Sequence, residues 1–256
     1  MKNSNIEKVK KIIEESGNSF HCTVLDFLIK EGWTVLISPY YNDNVSGKPR
    51  EIDLIAEKSF VSKSMFGKGC TVNIKLFVEC KYVSQNVVFW FHDKDVVKAE
   101  NLVVETMFLP KDNINTKKHH YLSNNDNVAK LFADGKKSNV ENEIFYKALN
   151  QSLNAMIYYR DSESIIPTNA SYSGKTVNLP VIICNNFSNL YRVDIGLSKE
   201  PTKINDNFLL EVNYAYLESS GEHADEYFLI DIVDYKKLKS FLEMLQQEVD
   251  VIAEFS

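Results

Sequence analysis

The strongest constraint on the fold is the alternation in residues 71–83, where Val72, Ile74, Leu76 and Val78 take turns with Asn73, Lys75, Phe77 and Glu79. A period of two sends successive side chains to opposite faces, so the stretch predicts a strand with one apolar face. Such a strand cannot stand alone, because its backbone donors and acceptors need partners. Residues 34–38 and 51–56 are rich in branched aliphatic side chains and predict two preceding strands, with a turn-rich excursion over 59–69. Residues 87–91 predict a further strand or a buried run, and 179–184, 191–195, 208–216 and 227–232 predict four more strands.

Helical spacing appears in four regions. Ile6, Val9, Ile12 and Ile13 predict a first helix. Ser19 is the expected N-cap of a second, which carries Phe20, Val24, Phe27 and Leu28 on one face and stops at Gly32. Residues 110–127, rich in Asn, Lys and His, predict a loop. Ser138-Asn139-Val140-Glu141 has the form of a capping box for a helix to about 159. Its stripe is Phe145, Ala148, Leu149, Leu153, Met156 and Ile157, and its polar face is Glu143, Lys147, Asn150, Gln151, Asn154 and Tyr158. Asp234 is expected to cap a closing helix with Leu238, Phe241, Leu242, Leu245 and Val249 as its apolar stripe. This order predicts an α/β sandwich with a mixed sheet.

A chain of 256 residues, 44% hydrophobic and 25% charged, can bury a core without staples and is expected to form a single domain over 1–256. Cys22, Cys70, Cys80 and Cys184 form no CxxC pair, which argues against a zinc site and for reduced thiols. The first sixteen residues lack the apolar run of a secretory signal, and no apolar run is long enough to span a bilayer. A cytoplasmic protein without membrane attachment is therefore expected. The net charge of −6 argues against a simple basic coat for nucleic acid. The charge is uneven, however: residues 1–160 hold 22 Lys+Arg against 19 Asp+Glu, and 161–256 hold 7 against 16.

The chemistry concentrates in Arg50-Glu51-Ile52-Asp53-Leu54-Ile55-Ala56 and Phe77-Val78-Glu79-Cys80-Lys81. A carboxylate such as Asp53 is disfavoured in an apolar strand pattern. Glu79 and Lys81 stand two apart, so they share a face that Cys80 does not. If the two strands pair, Asp53 meets both. Two convergent carboxylates beside a lysine suit a hard divalent cation, Mg²⁺ or Mn²⁺. Such an ion can offset charge on a phosphodiester and lower the pKa of a bound water, while the lysine orients that water or steadies developing negative charge.

These residues resemble the PD-(D/E)XK nuclease superfamily. Asp53 matches its first acidic position and Glu79-Cys80-Lys81 its (D/E)-x-K element. With Gly32-Trp33 after the helix, the likeness over 19–83 is greatest to the Mrr-type and Holliday-junction-resolvase-like branches. It implies a restriction-endonuclease-like α/β/α sandwich with a central mixed sheet, extended here by C-terminal strands and a closing helix in an acidic segment, 161–256. It implies a Mg²⁺-dependent endonuclease that leaves a 5′-phosphate and a 3′-hydroxyl on DNA, in restriction, repair or defence. Asp53 and Glu79 would be catalytic metal ligands and Lys81 a catalytic lysine. Its partners would be DNA and either a second copy or a target-recognition protein. Two positions depart from the pattern. Ile52 replaces the proline, and His21 stands where many relatives carry a helix glutamate, for which Glu14 or Glu15 are substitutes. Gln151 resembles a glutamine that some branches use on the helix after the (D/E)-x-K strand.

Each assignment has a plainer alternative. Asp53, Glu79 and Lys81 could be a salt-bridge cluster at strand ends, and the domain a catalytically silent nucleic-acid-binding or assembly module. His21 is an auxiliary catalytic group or an ordinary helix histidine. Lys48 and Arg50 contact phosphates or sit in a solvated turn, and Gln151 is a site residue or an exposed glutamine. Lys117-Lys118-His119-His120 reads as a solvated loop more readily than as a metal or DNA tract. Trp33, Phe89, Trp90 and Phe91 read as core, with base stacking by Trp90 the alternative. The closing-helix stripe reads as core, with a dimer interface the alternative.

Overall fold

The computed structural model describes residues 2–15, 18–43, 46–63, 69–106, 120–124, 127–134, 144–160, 162, 164–166, 175–196, 200–218 and 221–254. The alternating segment forms β5 (Gly69–Lys81), antiparallel to β4 (Leu54–Lys63), with Leu54 opposite Val78 and Lys63 opposite Gly69. β1 (Thr34–Ile37) pairs with the outer side of β4. Two expectations need correction here. The strand predicted at 51–56 starts at Leu54, and Glu51 belongs to a separate hairpin of β2 (Tyr40–Asn42) and β3 (Pro49–Glu51). Most of the 59–69 excursion is strand as well, because Phe60, Val61, Thr71 and Val72 extend the same ladder.

β8 (Lys175–Cys184) runs parallel to β5 from Val72↔Lys175 to Lys81↔Cys184. A parallel neighbour requires a crossover, and α5 (Ile144–Tyr159) lies in that connection. β12 (His223–Asp234) is parallel to β8 and antiparallel to β11 (Phe208–Leu217). β7 (Asn127–Asp134), β6 (Val87–Asp93), β9 (Leu190–Asp194) and β10 (Thr202–Lys203) complete a mixed sheet that has ten strands among the described residues, ordered β1-β4-β5-β8-β12-β11-β7-β6-β9-β10. The central parallel strands are covered on both faces, which is why Val181–Cys184 is a continuous apolar run with every side chain buried. Pro180 is tolerated in β8 because pairing with β12 begins only at Val181, so no ladder donor is missing on that side.

Helices cover both faces. On one, α2 (Asn18–Lys30) lays Val24 and Leu28 into a core shared with α3 (Val96–Thr106), α4 (Tyr121–Asn124) and α6 (Leu238–Glu254). On the other, α5 packs Phe145, Ala148, Leu149, Leu153 and Met156 against Phe77, Phe89 and Ile182. α2 starts at Asn18, so Ser19 lies inside it and accepts at its carbonyl from the Thr23 hydroxyl rather than capping. Gly32 ends the helix as expected, with φ +80° and the Trp33 N–H returning to the Leu28 carbonyl. The stripe of α1 (Lys2–Glu15) behaves differently from the forecast: Ile6, Val9, Ile12 and Ile13 are all more than half exposed.

The capping box at 138–141 lies outside the described residues. α5 buries Phe145, Ala148, Leu149, Leu153 and Met156 of its predicted stripe and half-buries Ile157, but Ser152 and Asn154 on other faces are buried too. α3 was not legible as a helix, and α4 with the start of β7 falls inside the predicted 110–127 loop. Asp234 caps as expected, accepting from the Lys236 N–H at 2.9 Å in a 3-10 turn that leads into α6. Leu238, Phe241, Leu242, Leu245 and Val249 are buried in the core rather than offered as an interface. Among the described residues no helix is long and apolar enough to cross a membrane.

Candidate active site at the base of the β4–β5 hairpin

The register of β4 and β5 decides the geometry. Leu54 faces Val78, so Asp53, at the bend just before β4, sits against the end of β5. The bend is held by the Ser38 N–H on the Asp53 carbonyl at 2.9 Å and by the Ile52 N–H on the Pro39 carbonyl at 3.2 Å. Ser38 adopts the left-handed region, φ +50°, to turn the chain out of β1. Asp53 Oδ2 accepts the Cys80 N–H at 2.7 Å, and the Asp53 N–H donates to Glu79 Oε1 at 3.3 Å. Lys81 Nζ donates to Glu79 Oε2 at 2.5 Å. All three sequence-selected residues thus meet, and Cys80 turns away to pack on the opposite core.

Burial sets the electrostatics. Glu79 is fully buried, and desolvation pushes its carboxyl up to about 7, with Lys81 opposing the rise and Asp53 adding to it. Burial alone would lower the Lys81 ammonium, but the neighbouring carboxylates of Glu79 and Asp53 outweigh it and hold the pKa above its usual value. Lys81 is therefore a fixed positive charge with its side chain still 19% exposed.

Asp53 and Glu79 are the two carboxylates that meet here, and Asp53 Oδ2 and both Glu79 oxygens accept protein donors. Among the described residues no group of three His, Cys, Asp or Glu side chains is assembled. His21 joins no such group: it is carried by α2, which packs on the face of the sheet opposite to Glu79, and its Nε2 is buried without a hydrogen-bond partner. The side chains of Glu14 and Glu15 lie outside the described residues. Two carboxylates do not make a zinc centre, but Mg²⁺ commonly takes one or two protein carboxylates and fills its remaining positions with water and substrate oxygens.

Gln151 is no ordinary exposed glutamine. Its Nε2 donates to the Glu51 carbonyl at 2.9 Å, two residues before Asp53. The next residue, Ser152, donates its hydroxyl to the Phe77 carbonyl at 2.9 Å, two residues before Glu79. One turn of α5 thereby ties down both segments that carry the carboxylates. Arg50 lies on β3 with Nε 3.9 Å from Asp43 Oδ2, and Lys48 is exposed on the same hairpin. Sequence reading missed Ser152 and Tyr41. Tyr41 is 2% exposed, and its hydroxyl pKa is raised by burial first and by the nearby Glu79 charge next. Nothing in the sequence distinguishes Tyr41 from Tyr40.

Two other polar clusters are structural. Lys75 faces Glu57 across β4 and β5, both buried, with Nζ 3.8 Å from Oε2. Residues 117–119 lie outside the described set, but His120, read with them as solvated, is 2% exposed, and burial drives its pKa down to about 3. It therefore serves neither a solvated loop nor a DNA-contacting one. Of the aromatic run, Phe89 and Phe91 are core as expected, and Trp90 is half-buried.

The chain matches no protein-family profile, no curated protein and no solved structure.

Proposed function

We propose that this chain is a divalent-metal-dependent phosphodiesterase that cleaves DNA, built on a restriction-endonuclease-like core. The observation that carries the reading is the meeting of Asp53, Glu79 and Lys81 at one point on adjacent strand ends. The spatial order β1-β4-β5-β8, an antiparallel set whose last strand pairs in parallel with β8 after a long connection that holds β6, α3, α4, β7 and α5, supports the same core.

Asp53 and Glu79 would hold Mg²⁺ or Mn²⁺, which when bound supplies charge neutralisation at the phosphate and a more acidic water. The Lys81 ammonium, held by Glu79, offsets negative charge that grows on the phosphate oxygens or orients the attacking water. Gln151 and Ser152 are positioning residues: they fix the backbone on either side of the carboxylates and keep the two strand ends at a set spacing. Arg50 and Lys48, on the adjacent hairpin, are candidates for phosphate contact.

A second reading has its own observation. Both Glu79 oxygens already accept from protein donors, as they would in a silent structural cluster. Cleavage assays with Mg²⁺ or Mn²⁺ on supercoiled, linear and single-stranded DNA decide between them. Wild type should cut, and Asp53→Asn and Lys81→Met should each lose about 10²-fold or more. Failure of wild type to cut any substrate, together with no Mg²⁺ or Mn²⁺ binding by calorimetry, sinks the enzymatic reading and leaves the silent module.

A further inference from the structure

The carboxylate cluster lies beside a larger feature. On the same face of the sheet, the β2–β3 hairpin, α5, β7 and β11 wall a groove with a cavity volume of about 1080 Å³. Gln151 lines the groove while bonding the Glu51 carbonyl, so the recess opens next to the segment that delivers Asp53.

The lining is unusual for a phosphate-only surface. Tyr146 contributes a half-buried ring and Asn150 a half-buried amide, with Tyr214 and Asn154 buried behind them. The network is organised in advance: the Tyr214 hydroxyl lies 2.9 Å from Asn150 Oδ1 and 3.0 Å from Asn154 Oδ1. Asn150 Nδ2 donates to the Tyr146 carbonyl at 2.8 Å. Lys147 stands exposed at the rim, Arg50 is exposed there with its Nε 3.9 Å from Asp43 Oδ2, and Lys130 is paired with Glu211 at 2.5 Å.

A continuous duplex presents a convex ribbon of phosphates with its bases stacked inside. It has nothing to put into a recess of rings and amides, and two rim cations on a chain of net charge −6 give little of the multi-phosphate grip that duplex binding uses. An unpaired nucleotide offers what the recess can take, a π-face to stack on tyrosine and polar edges for amides.

We infer that the groove binds an unpaired nucleic-acid strand running into the Asp53–Glu79–Lys81 site, so that hydrolysis acts on single-stranded stretches, overhangs or flaps. This rests on the phosphodiesterase reading for the reaction, but not for the binding.

The test is fluorescence anisotropy with the full chain in EDTA. The probes are a labelled single-stranded DNA of about eight nucleotides, the RNA of the same sequence, and a blunt DNA duplex of similar length. At least one single strand should bind about tenfold or more tighter than the duplex, and the DNA and RNA arms identify the preferred sugar. Tyr146→Ala should weaken that binding about tenfold. Lys147→Ala, at an exposed position, should flatten the dependence of log K on log salt by about 0.7. Thermal melts check that both variants fold. A duplex that binds as tightly as the single strands overturns the inference, as do two folded variants that bind like wild type. Hydrolysis of a small chromogenic phosphodiester without any single-strand preference sinks the groove alone. Single-strand binding without hydrolysis of any substrate sinks the phosphodiesterase alone.

Discussion

Asp231 shows how far one residue's surroundings can move its chemistry. It points into the helix-covered core beside Tyr121, whose hydroxyl donates to its Oδ2 at 3.1 Å, and burial pushes its pKa from 3.8 up to about 7. Below the unfolded value both states hold the proton. Between 3.8 and about 7 the native state keeps a proton that the unfolded chain has released, so stability falls as pH rises through that window. Asp231→Asn removes the titration and keeps an acceptor for Tyr121. In urea melts it should be more stable than wild type at pH 8, with the gap closing between pH 7 and pH 5 by on the order of 1 kcal/mol per unit. A gap that ignores pH would sink the assignment. His120 works in the opposite sense: held neutral by burial with Nε2 3.3 Å from Glu248, it costs stability as pH falls below 6.5. Neither residue was legible in the sequence. His120 follows two lysines and a histidine, a pattern that reads as solvated, and only the docking of α4 under α6 buries it.

Within the β4–β5 hairpin, β5 was the most legible element, because a period of two over so many residues admits few alternatives, whereas the bounds of β4 were not. The hairpin's pairing brings Asp53, Glu79 and Lys81 together, and it also carries the Glu57–Lys75 pair, which the alternation does not single out. Glu57 accepts from the Ser164 hydroxyl and from the Ile165 N–H at 2.9 Å, so the pair fastens the chain that leaves α5 onto the hairpin. Buried charge pairs owe their worth to mutual dependence more than to net stabilisation. Glu57→Gln and Lys75→Met should each destabilise the protein in urea melts, and the double variant should lose about 1–3 kcal/mol less than the sum. Strict additivity would show that the two charges do not act on each other. α3 and β7 were illegible for a local reason. α3 opens with two β-branched valines two residues after a strand, and β7 follows an Asn-rich stretch that signals loop. Gln151 escaped a firm reading because a helix sequence cannot reveal that a hairpin will cover its polar face.

At the scale of the molecule, the uneven charge of the sequence becomes a matter of assembly. The acidic last third is woven into the sheet: β8 and β12 stand at its centre, with β8 pairing along β5 up to Lys81. Three of its carboxylates have internal partners. Glu211 takes Lys130 and the Asp95 N–H, Glu226 takes Arg160 and Tyr216, and Asp234 takes the Phe187 N–H. Two of these acids thus meet basic partners from the first 160 residues, which carry the excess of positive charge. The first 160 residues contain the whole Asp53–Glu79–Lys81 cluster, yet cut off there they would expose one edge of β5 along its length and leave Lys130 and Arg160 without Glu211 and Glu226. An open apolar edge of that kind favours aggregation over folding. A fragment of residues 1–160 should therefore show no cooperative thermal transition by circular dichroism and should bind no metal at the Asp53 site. Adding residues 161–256 as a separate chain should restore both if pairing of β8 with β5 is what the fragment lacks. A cooperative melt from the fragment alone would mean that the site-bearing portion is self-sufficient and the acidic third an appendage.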